Sequence, residues 1–262
     1  MKTYKMVLCY DGSRYNGWQK QGNTDNTLQE KLEKILTEIA GVETEIAGVE
    51  TEIAGSGRTD AGTHAKGQVA SFRMDWKGTA AELLTEINGW LPEDVGALSL
   101  EEAEPRFHAR LNAKAKRYVY TIWTGEMPPV FWRKYSFWCK DELDVEAMKE
   151  AASAFVGTHD FKSFCANKRM KKSTVRTIYD IEIEQKEQRL VLSFTGNGFL
   201  YQMVRILTGT LIEVGEGKRS PMEMEEILAA ENRETAGFTA PSRGLMLDEV
   251  FYEPYGKGTE MP

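Results

Sequence analysis

Apolar residues recur at helical spacing in five segments of the chain. Thr79 with Glu82 is a capping box that begins a helix ending before Pro92. Thr27 and Glu30 form the same box ahead of an earlier amphipathic segment. The predicted helices cover residues 28–39, 79–91, 144–156, 199–213 and 220–230.

Strands are predicted from alternation of apolar and polar residues. In the clearest case Tyr179, Ile181 and Ile183 interleave with acidic residues and precede a polar turn and a second alternating run, which predicts a hairpin with one solvated face. Further strands are predicted at residues 3–10, 67–73, 98–103, 116–123 and 246–252. The order of elements repeats, which predicts an α+β fold of two related halves with a cleft between them as the natural place for a site.

No Gly-, Pro- or Ser-rich linker separates the halves, which we place at residues 1–105 and 106–262. Residues 37–43 (TEIAGVE) are repeated verbatim at 44–50, and a partial third copy occupies 51–55. We interpret this repeat as an in-frame duplication that extends the first helix or forms a surface loop. A coiled coil is disfavoured because a glycine costs about 1 kcal/mol in a helix interior, and each full copy contains one.

The chain has 262 residues, of which 41% are apolar and 28% are charged, a composition typical of a globular protein. No run approaches the roughly 20 apolar residues of a membrane helix, and the first residues lack the apolar core of a secretory signal, so we expect a cytoplasmic protein without membrane association. The three cysteines are an odd number without close spacing, which disfavours a disulfide framework or a cysteine-rich zinc site.

The net charge of −7 disfavours a nucleic-acid partner, but basic residues are segregated. Two stretches, 106–117 and 161–179, contain five and six Lys or Arg residues and no acid. Such stretches can bind a polyanion, although a run of like charge is more often a solvated face.

Residues 55–64 (GSGRTDAGTH) surround one arginine and one aspartate with small residues, which lets another molecule approach the backbone closely. A phosphate loop is excluded because Thr63 stands where the lysine is required. A glycosidase pair needs two carboxylates, and only Asp60 is present here. Beside Arg58 this carboxylate should stay ionised, as suits a nucleophile or base; the alternative is an aspartate that caps a turn.

Several spaced motifs together resemble the tRNA pseudouridine synthase A family, nearly from end to end of the chain. They are Tyr10-Asp-Gly-Ser-Arg-Tyr-Asn-Gly-Trp-Gln19, Leu28-Gln-Glu-Lys-Leu32, Gly57-Arg-Thr-Asp-Ala-Gly62 with His64, Phe107-His-Ala-Arg110, Arg117-Tyr-Val-Tyr120, Gly157-Thr-His-Asp-Phe161, Ser163-Phe164, Gly198-Phe199, Met203-Val-Arg205, Ala240-Pro241 and Gly244-Leu245.

The resemblance implies that uridines 38, 39 and 40 in the anticodon stem-loop of tRNA are isomerised to pseudouridine. It implies a pseudouridine synthase fold with a mainly antiparallel sheet flanked by helices, a homodimer whose subunits share each tRNA, and neither a cofactor nor a metal. It makes Asp60 the catalytic carboxylate and gives Arg58 a role in opening the stem and holding the flipped position. It also pairs Arg205 with Asp60, stacks Tyr118 on the uracil and places Leu245 against the base.

The chemistry of the residues agrees with this reading. Uracil leaves as a delocalised anion and rejoins through C5, so one carboxylate can suffice. Asp60 could attack C1′, add to C6 or remove the 2′ proton, and the sequence leaves these routes open. A paired base must be flipped out at a cost of a few kcal/mol, which an arginine filling the stack would reduce.

The basic stretches would then contact phosphates along an A-form stem. The residues expected to do so are Arg110, Lys116, Arg117, Lys168, Arg169 and Lys171. The main alternative is an RNA-binding or tRNA-folding protein in which Arg58 and Asp60 only cap a turn, and a third reading is an isomerase acting on a different RNA. Tyr118 could be an ordinary core aromatic, and Arg205, amid apolar residues, needs a partner.

Overall fold

A computed structural model describes residues 1–44, 51–167 and 169–255, without the side chains of residues 42–44. The described residues fall into two compact units. Unit 1 comprises Met1–Ala113 and Leu247–Glu253, and unit 2 comprises Lys114–Met246 with Pro254 and Tyr255. Five helices and ten mainly antiparallel strands in these residues confirm the predicted α+β class. No helix in the described ranges combines the length and apolarity needed to span a membrane.

Unit 1 is built on an antiparallel sheet. Its elements are β1 (Lys2–Tyr10), α1 (Leu28–Thr44), β2 (Ile53–Gly55), β3 (His64–Met74), α2 (Ala80–Trp90) and β4 (Val95–Ala103). Strand β10 (Leu245–Phe251) also belongs to this unit, except for its first two residues. The strand order is β4-β1-β3-β10, and β2 pairs with β3. Alternate residues of β1, namely Tyr4, Met6 and Leu8, are fully buried, as the period of two requires.

Both helices of unit 1 begin at the predicted caps. Thr79 accepts a hydrogen bond from the Glu82 amide while the Glu82 carboxylate accepts from the Thr79 amide, so the capping box of α2 is complete. The Thr27 hydroxyl accepts from the Glu30 amide at 3.3 Å at the start of α1. The two helices therefore start where local polar contacts satisfy their first free amides.

The repeated heptad adopts two different structures. The first copy of TEIAG, at 37–41, continues α1, whereas the copy at 51–55 contains strand β2. Gly41 has open space around it, but a Cβ on Gly55 would lie 2.4 Å from the indole ring of Trp18. The extended helix end is thus confirmed as far as Thr44, and residues 45–50 of the second copy lie outside the described residues.

Unit 2 contains a second sheet segment with three helices. Its elements are β5 (Ala115–Trp123), β6 (Phe137–Trp138), α3 (Val145–Ser153), β7 (Gly157–Asp160), β8 (Val175–Lys186), β9 (Arg189–Gly196), α4 (Met203–Gly215) and α5 (Glu223–Ala230). The strand order is β5-β9-β8-β7, and β6 pairs with β5 in parallel. Most of α4 is buried, which places it at the centre of this unit's core.

The predicted hairpin is confirmed as β8 and β9, but Tyr179 was assigned to the wrong face of the strand. The register of the two strands shifts between Ile178 and Asp180, so Tyr179 forms a bulge. Ile178 and Ile183 are buried, whereas Tyr179 is exposed and its ring stacks on Tyr255 at 5.3 Å. A bulge changes which face the preceding residues occupy, and simple alternation cannot reveal it.

Three helices of unit 2 are shorter than predicted. α3 ends at Ser153, four residues before Gly157. α4 begins at Met203, since Gln202 has a left-handed backbone with φ of 60°. α5 begins at Glu223 because residues 221 and 222 form a turn, although the Glu223 carboxylate accepts from the Ser220 amide at 2.7 Å as in a cap.

Candidate active site

Asp60 lies in the connection between β2 and β3, in residues 57–62, which we call the Asp60 loop. Gly62 adopts a left-handed φ of 74°, and the Thr63 amide donates to the Asp60 carbonyl at 3.1 Å. Arg58 is exposed, Thr59 is buried and Asp60 is half-buried. The loop therefore holds a cation and a carboxylate within reach of solvent while the residue between them anchors it.

Residues 10–18, which run from the last residue of β1 onward, pack along the back of the Asp60 loop and form its backing segment. The Trp18 amide donates to the Thr59 carbonyl at 3.0 Å, and the Gly62 amide donates to the Tyr15 carbonyl at 3.3 Å. These bonds attach both flanks of Asp60 to one segment. Sequence reasoning matched this segment to a family motif without finding its role, because its contacts are between backbones 40 or more residues apart.

Two glycines make this close packing possible. Gly17 has a φ of 89°, and a Cβ there would lie 2.7 Å from the Thr59 carbonyl oxygen. A Cβ on Gly12 would lie 2.0 Å from the Thr63 carbonyl oxygen. Because real Cβ contacts are longer than 3.0 Å, the two chain segments can approach only where side chains are missing.

His64, directly after the loop, is buried and has a structural role. Its Nδ1 lies 3.1 Å from the Gly12 amide nitrogen and accepts a hydrogen bond from it in the tautomer that carries the ring proton on Nε2. The Asp11 carboxylate lies 3.2 Å from the same Nδ1 and accepts from the Ser13 amide at 2.9 Å. Within the described ranges, no three His, Cys, Asp or Glu side chains are grouped so as to hold a metal ion.

Tyr118 lies on β5 in unit 2 and is 8% exposed. Its ring meets Phe199 edge to face, with ring centroids 5.2 Å apart. Lys116 and Arg117, just before it, are half-buried. An aromatic with little exposed surface, fixed by a second ring and flanked by cations, can present an edge or a face to a base.

Arg205 lies in the first turn of α4 and is half-buried. Its Nε donates to the Ala240 carbonyl at 2.7 Å, and the Ala240 amide donates to the Arg205 carbonyl at 3.1 Å. The neighbouring Pro241 carbonyl accepts from the Tyr120 hydroxyl at 2.8 Å. Arg205 is therefore held to the segment that leads to Leu245, which is buried at the start of β10.

Burial raises the pKa of the hydroxyls of Tyr10 and Tyr120. Loss of solvent raises the pKa of Tyr10, which also bonds to Thr59 Oγ1 at 2.8 Å. Loss of solvent likewise raises the pKa of Tyr120, and the Arg205 and Arg243 cations only partly oppose this. Both tyrosines are neutral at physiological pH and serve as hydrogen-bond groups.

Three of the six predicted basic contacts are exposed residues, and they are found in both units. Arg110 of unit 1 is exposed and follows Ala109, whose amide donates to Ser71 Oγ at 3.0 Å. Arg169 and Lys171 of unit 2 are exposed, and Lys168 lies outside the described residues. The site residues are thus divided by the units: Arg58, Asp60 and Arg110 belong to unit 1, and Lys116, Arg117, Tyr118, Arg169, Lys171, Arg205 and Leu245 belong to unit 2.

The family model and several relatives that match this chain are described as tRNA pseudouridine synthases. A family model described as tRNA pseudouridine synthase matches residues 151–253. A "tRNA pseudouridine synthase A 2" of Bacillus anthracis is 43% identical over 250 residues, covering 95% of this chain and 99% of that protein. A "tRNA pseudouridine synthase A" of Bacillus sp. (strain KSM-64) is 42% identical over 252 residues, covering 96% and 100%.

One solved structure is also similar, a crystal structure of a Cbf5-Nop10-Gar1 complex. Its TM-score is 0.33 at 14% identity, over 80% of this chain and 45% of that one. A likeness this weak carries no argument about the present chain.

Proposed function

Because the chain belongs to the tRNA pseudouridine synthase A family, we propose that it isomerises uridines 38, 39 and 40 in the anticodon stem-loop of tRNA. The observation that carries the proposal is the construction of the Asp60 loop. A half-buried carboxylate and an exposed arginine are held two residues apart on a backbone tied at both flanks. An aspartate that only caps a turn would not need a backbone that is hydrogen-bonded on both of its flanks.

Asp60 acts as the catalytic carboxylate in this proposal. We favour removal of the 2′ proton: the C1′–N1 bond breaks, uracil leaves as an anion and a glycal forms. C5 of the rotated base then bonds to C1′, the 2′ proton is returned, and the hydrogen on C5 is lost as N1 gains one. Deuterium at C2′ should slow this route through a primary isotope effect, whereas a rate unchanged by deuterium would favour attack on C1′ or C6.

The remaining site residues are proposed to bind and orient the nucleotide. Arg58, exposed two residues before Asp60, would occupy the stack that the flipped uridine vacates. Tyr118 would stack on the uracil, and Leu245 would contact the base. Arg205 would take part in catalysis, in a position fixed by its bond to the Ala240 carbonyl. No step in this scheme needs a cofactor.

Phosphate contacts are proposed for Arg110, Lys116, Arg117, Lys168, Arg169 and Lys171. If all six contact phosphates, tRNA affinity should fall up to about a thousandfold between about 50 and 200 mM salt. Lys171→Ala should weaken binding and flatten this dependence. Lys149→Ala is the matched control, since Lys149 is exposed on α3 and paired with Glu146 at 2.8 Å. A flat salt dependence in the unsubstituted protein would refute the assignment.

We further propose that the protein works in the cytoplasm, where tRNA is found, as a homodimer that contacts each tRNA with both subunits. Light scattering coupled to gel filtration tests the dimer directly. A mass of one chain at working concentration would contradict it.

Mapping of the modified positions tests the function. Unmodified tRNA transcripts are incubated with the protein or its Asp60→Ala variant, labelled with carbodiimide and copied by primer extension. We expect stops at positions 38–40 that are absent with the variant. Binding without any stops would refute the isomerase and favour an RNA-binding protein, and stops at other positions would refute the proposed substrate.

A further inference from the structure

Four polar side chains form a closed cluster on the buried side of the Asp60 loop. Ser56 and Gln68 are fully buried, and Tyr10 and Thr59 are 4% and 5% exposed. They come from three places in unit 1: the end of β1, the residues around the start of the loop, and the middle of β3. We call this cluster the Gln68 network.

Gln68 is the centre of the network because its amide bonds in three directions. Its Oε1 accepts from the Ser56 hydroxyl at 2.7 Å. Its Nε2 donates to the Gly57 carbonyl at 2.9 Å and to the Tyr10 hydroxyl at 3.4 Å. A glutamine side chain supplies one acceptor and two donors, so this amide uses its full donor capacity inside the protein.

The network reaches both residues that flank Arg58. Gln68 bonds directly to Gly57, the first residue of the Asp60 loop. It reaches Thr59 through Tyr10, whose hydroxyl lies 2.8 Å from Thr59 Oγ1. The Thr59 carbonyl in turn accepts from the backing segment at Trp18. The conformation of the loop is thus set from behind by polar contacts, while the Arg58 side chain remains exposed.

A glycine-rich loop has high conformational freedom, and ordering it costs entropy that its own short side chains cannot recover. Reactions that depend on placement are sensitive to small shifts, since a misplacement of about 1 Å can lower a rate by about a hundredfold. A buried network with every group satisfied is a rigid support of the kind that such a loop needs.

We propose that Gln68 is a positioning residue for the Asp60 loop, acting through Gly57 and through Tyr10 and Thr59 on the chemical step and not on tRNA affinity. This inference rests on the proposed role of Asp60. Glutamate cannot replace Gln68, because a carboxylate oxygen would face the Gly57 carbonyl where a donor is required. Methionine preserves the length of the side chain but offers neither donor.

The experiment compares Gln68→Met and Gln68→Glu with the unsubstituted protein. Single-turnover rates with enzyme in excess report the chemical step, gel shifts report tRNA affinity, and hydrogen exchange of peptides covering residues 56–62 reports order in the loop of the free protein. We expect rates to fall by about ten- to a hundredfold, faster exchange in the loop, and unchanged affinity.

Asn88→Ala is the matched control. The Asn88 amide likewise donates to one backbone group and accepts from another, bonding to the carbonyl and the amide of Ala97. These contacts join α2 to β4 and include no residue of the Asp60 loop. The control should leave both the rate and the exchange of residues 56–62 unchanged.

Tyr10→Phe keeps the ring and removes only the hydroxyl, so it tests the same path if a Gln68 variant fails to fold. Its effect on the rate should be non-additive with that of Gln68→Met, since both interrupt one network. Unchanged loop exchange, or an affinity loss as large as the rate loss, would overturn the proposal. If the Gln68 variants show faster loop exchange but even the unsubstituted protein forms no pseudouridine, the proposed function is refuted while the role of Gln68 in ordering the loop stands.

Discussion

Gly12→Ala is a substitution whose effect can be worked out directly from the structure. A Cβ on Gly12 would lie 2.0 Å from the carbonyl oxygen of Thr63 and 2.6 Å from its carbonyl carbon. Both are backbone atoms, so no side-chain rotation relieves the overlap. Ordinary contacts begin at 3.4 Å, so residues 12 and 63 would have to separate by about 1.4 Å.

That separation affects the Asp60 loop directly. The Thr63 amide donates to the Asp60 carbonyl, and the Gly12 amide donates to His64, so both bonds would be strained or lost. Overpacking of this kind costs about 1–3 kcal/mol of unfolding free energy. A shift of about 1 Å at the catalytic residue lowers the rate by about a hundredfold. We expect Gly12→Ala to show both effects together.

Urea unfolding measures the first effect, and single-turnover kinetics with excess enzyme on an unmodified tRNA transcript measure the second. Gly22→Ala is the matched control, since Gly22 is exposed, has no atom within 4 Å of the added Cβ and has no left-handed φ. It should match the unsubstituted protein in both assays. A Gly12→Ala variant with ordinary stability and rate would refute the role assigned to the backing segment.

Three further predictions concern single features. The Thr63 hydroxyl is buried with no hydrogen-bond partner among the described residues, so Thr63→Val should keep activity and leave the unfolding free energy in urea equal or higher. A decrease in unfolding free energy of more than about 1 kcal/mol would show that the hydroxyl has a partner. Gly41→Ala should raise the unfolding free energy by about 1 kcal/mol, because Gly41 lies within α1 with open space around it, and a destabilised variant would contradict that. Deletion of residues 44–50 should leave the single-turnover rate unchanged, since the Thr51 amide bonds to Thr37 Oγ1 at 3.1 Å and a change in the number of residues that connect two fixed points costs little. A large gain would show that the repeat is harmful, and a large loss that it is needed.

Local signals in the sequence were sufficient for much of the fold. The capping box at Thr79 and Glu82 lies within four residues, and the structure reproduces it in full. Long alternating runs such as β1 and β9 were also recognised, because burial on one face leaves a regular pattern. The short strands β2, β6 and β7, of two to four residues, were missed because they are too brief to show a period.

Features that depend on distant contacts could not be predicted. The TEIAG sequence is helical at 37–41 but includes a strand at 51–55, where Gly55 packs under the Trp18 indole. Identical residues therefore take the structure that their surroundings stabilise. The Tyr179 bulge depends in the same way on pairing with β9.

In the candidate site, too, residues marked by a local sequence pattern could be predicted and residues defined by distant contacts could not. Asp60 could be proposed as the catalytic carboxylate from composition and motif, since one carboxylate among glycines is visible in the sequence. Gln68 was not, because nothing in its own neighbourhood shows that it bonds to Gly57 and Tyr10. A buried amide on a strand becomes meaningful only when its partners are known.

Release of tritium from tRNA labelled at C5 of uridine tests the central claim most directly, because the hydrogen on C5 is lost when C5 bonds to C1′. Asp60→Asn keeps the size of the side chain and removes the negative charge. We expect the unsubstituted protein to release tritium and the variant to bind tRNA with equal affinity while releasing none. Release by the variant at the unsubstituted rate would contradict the account.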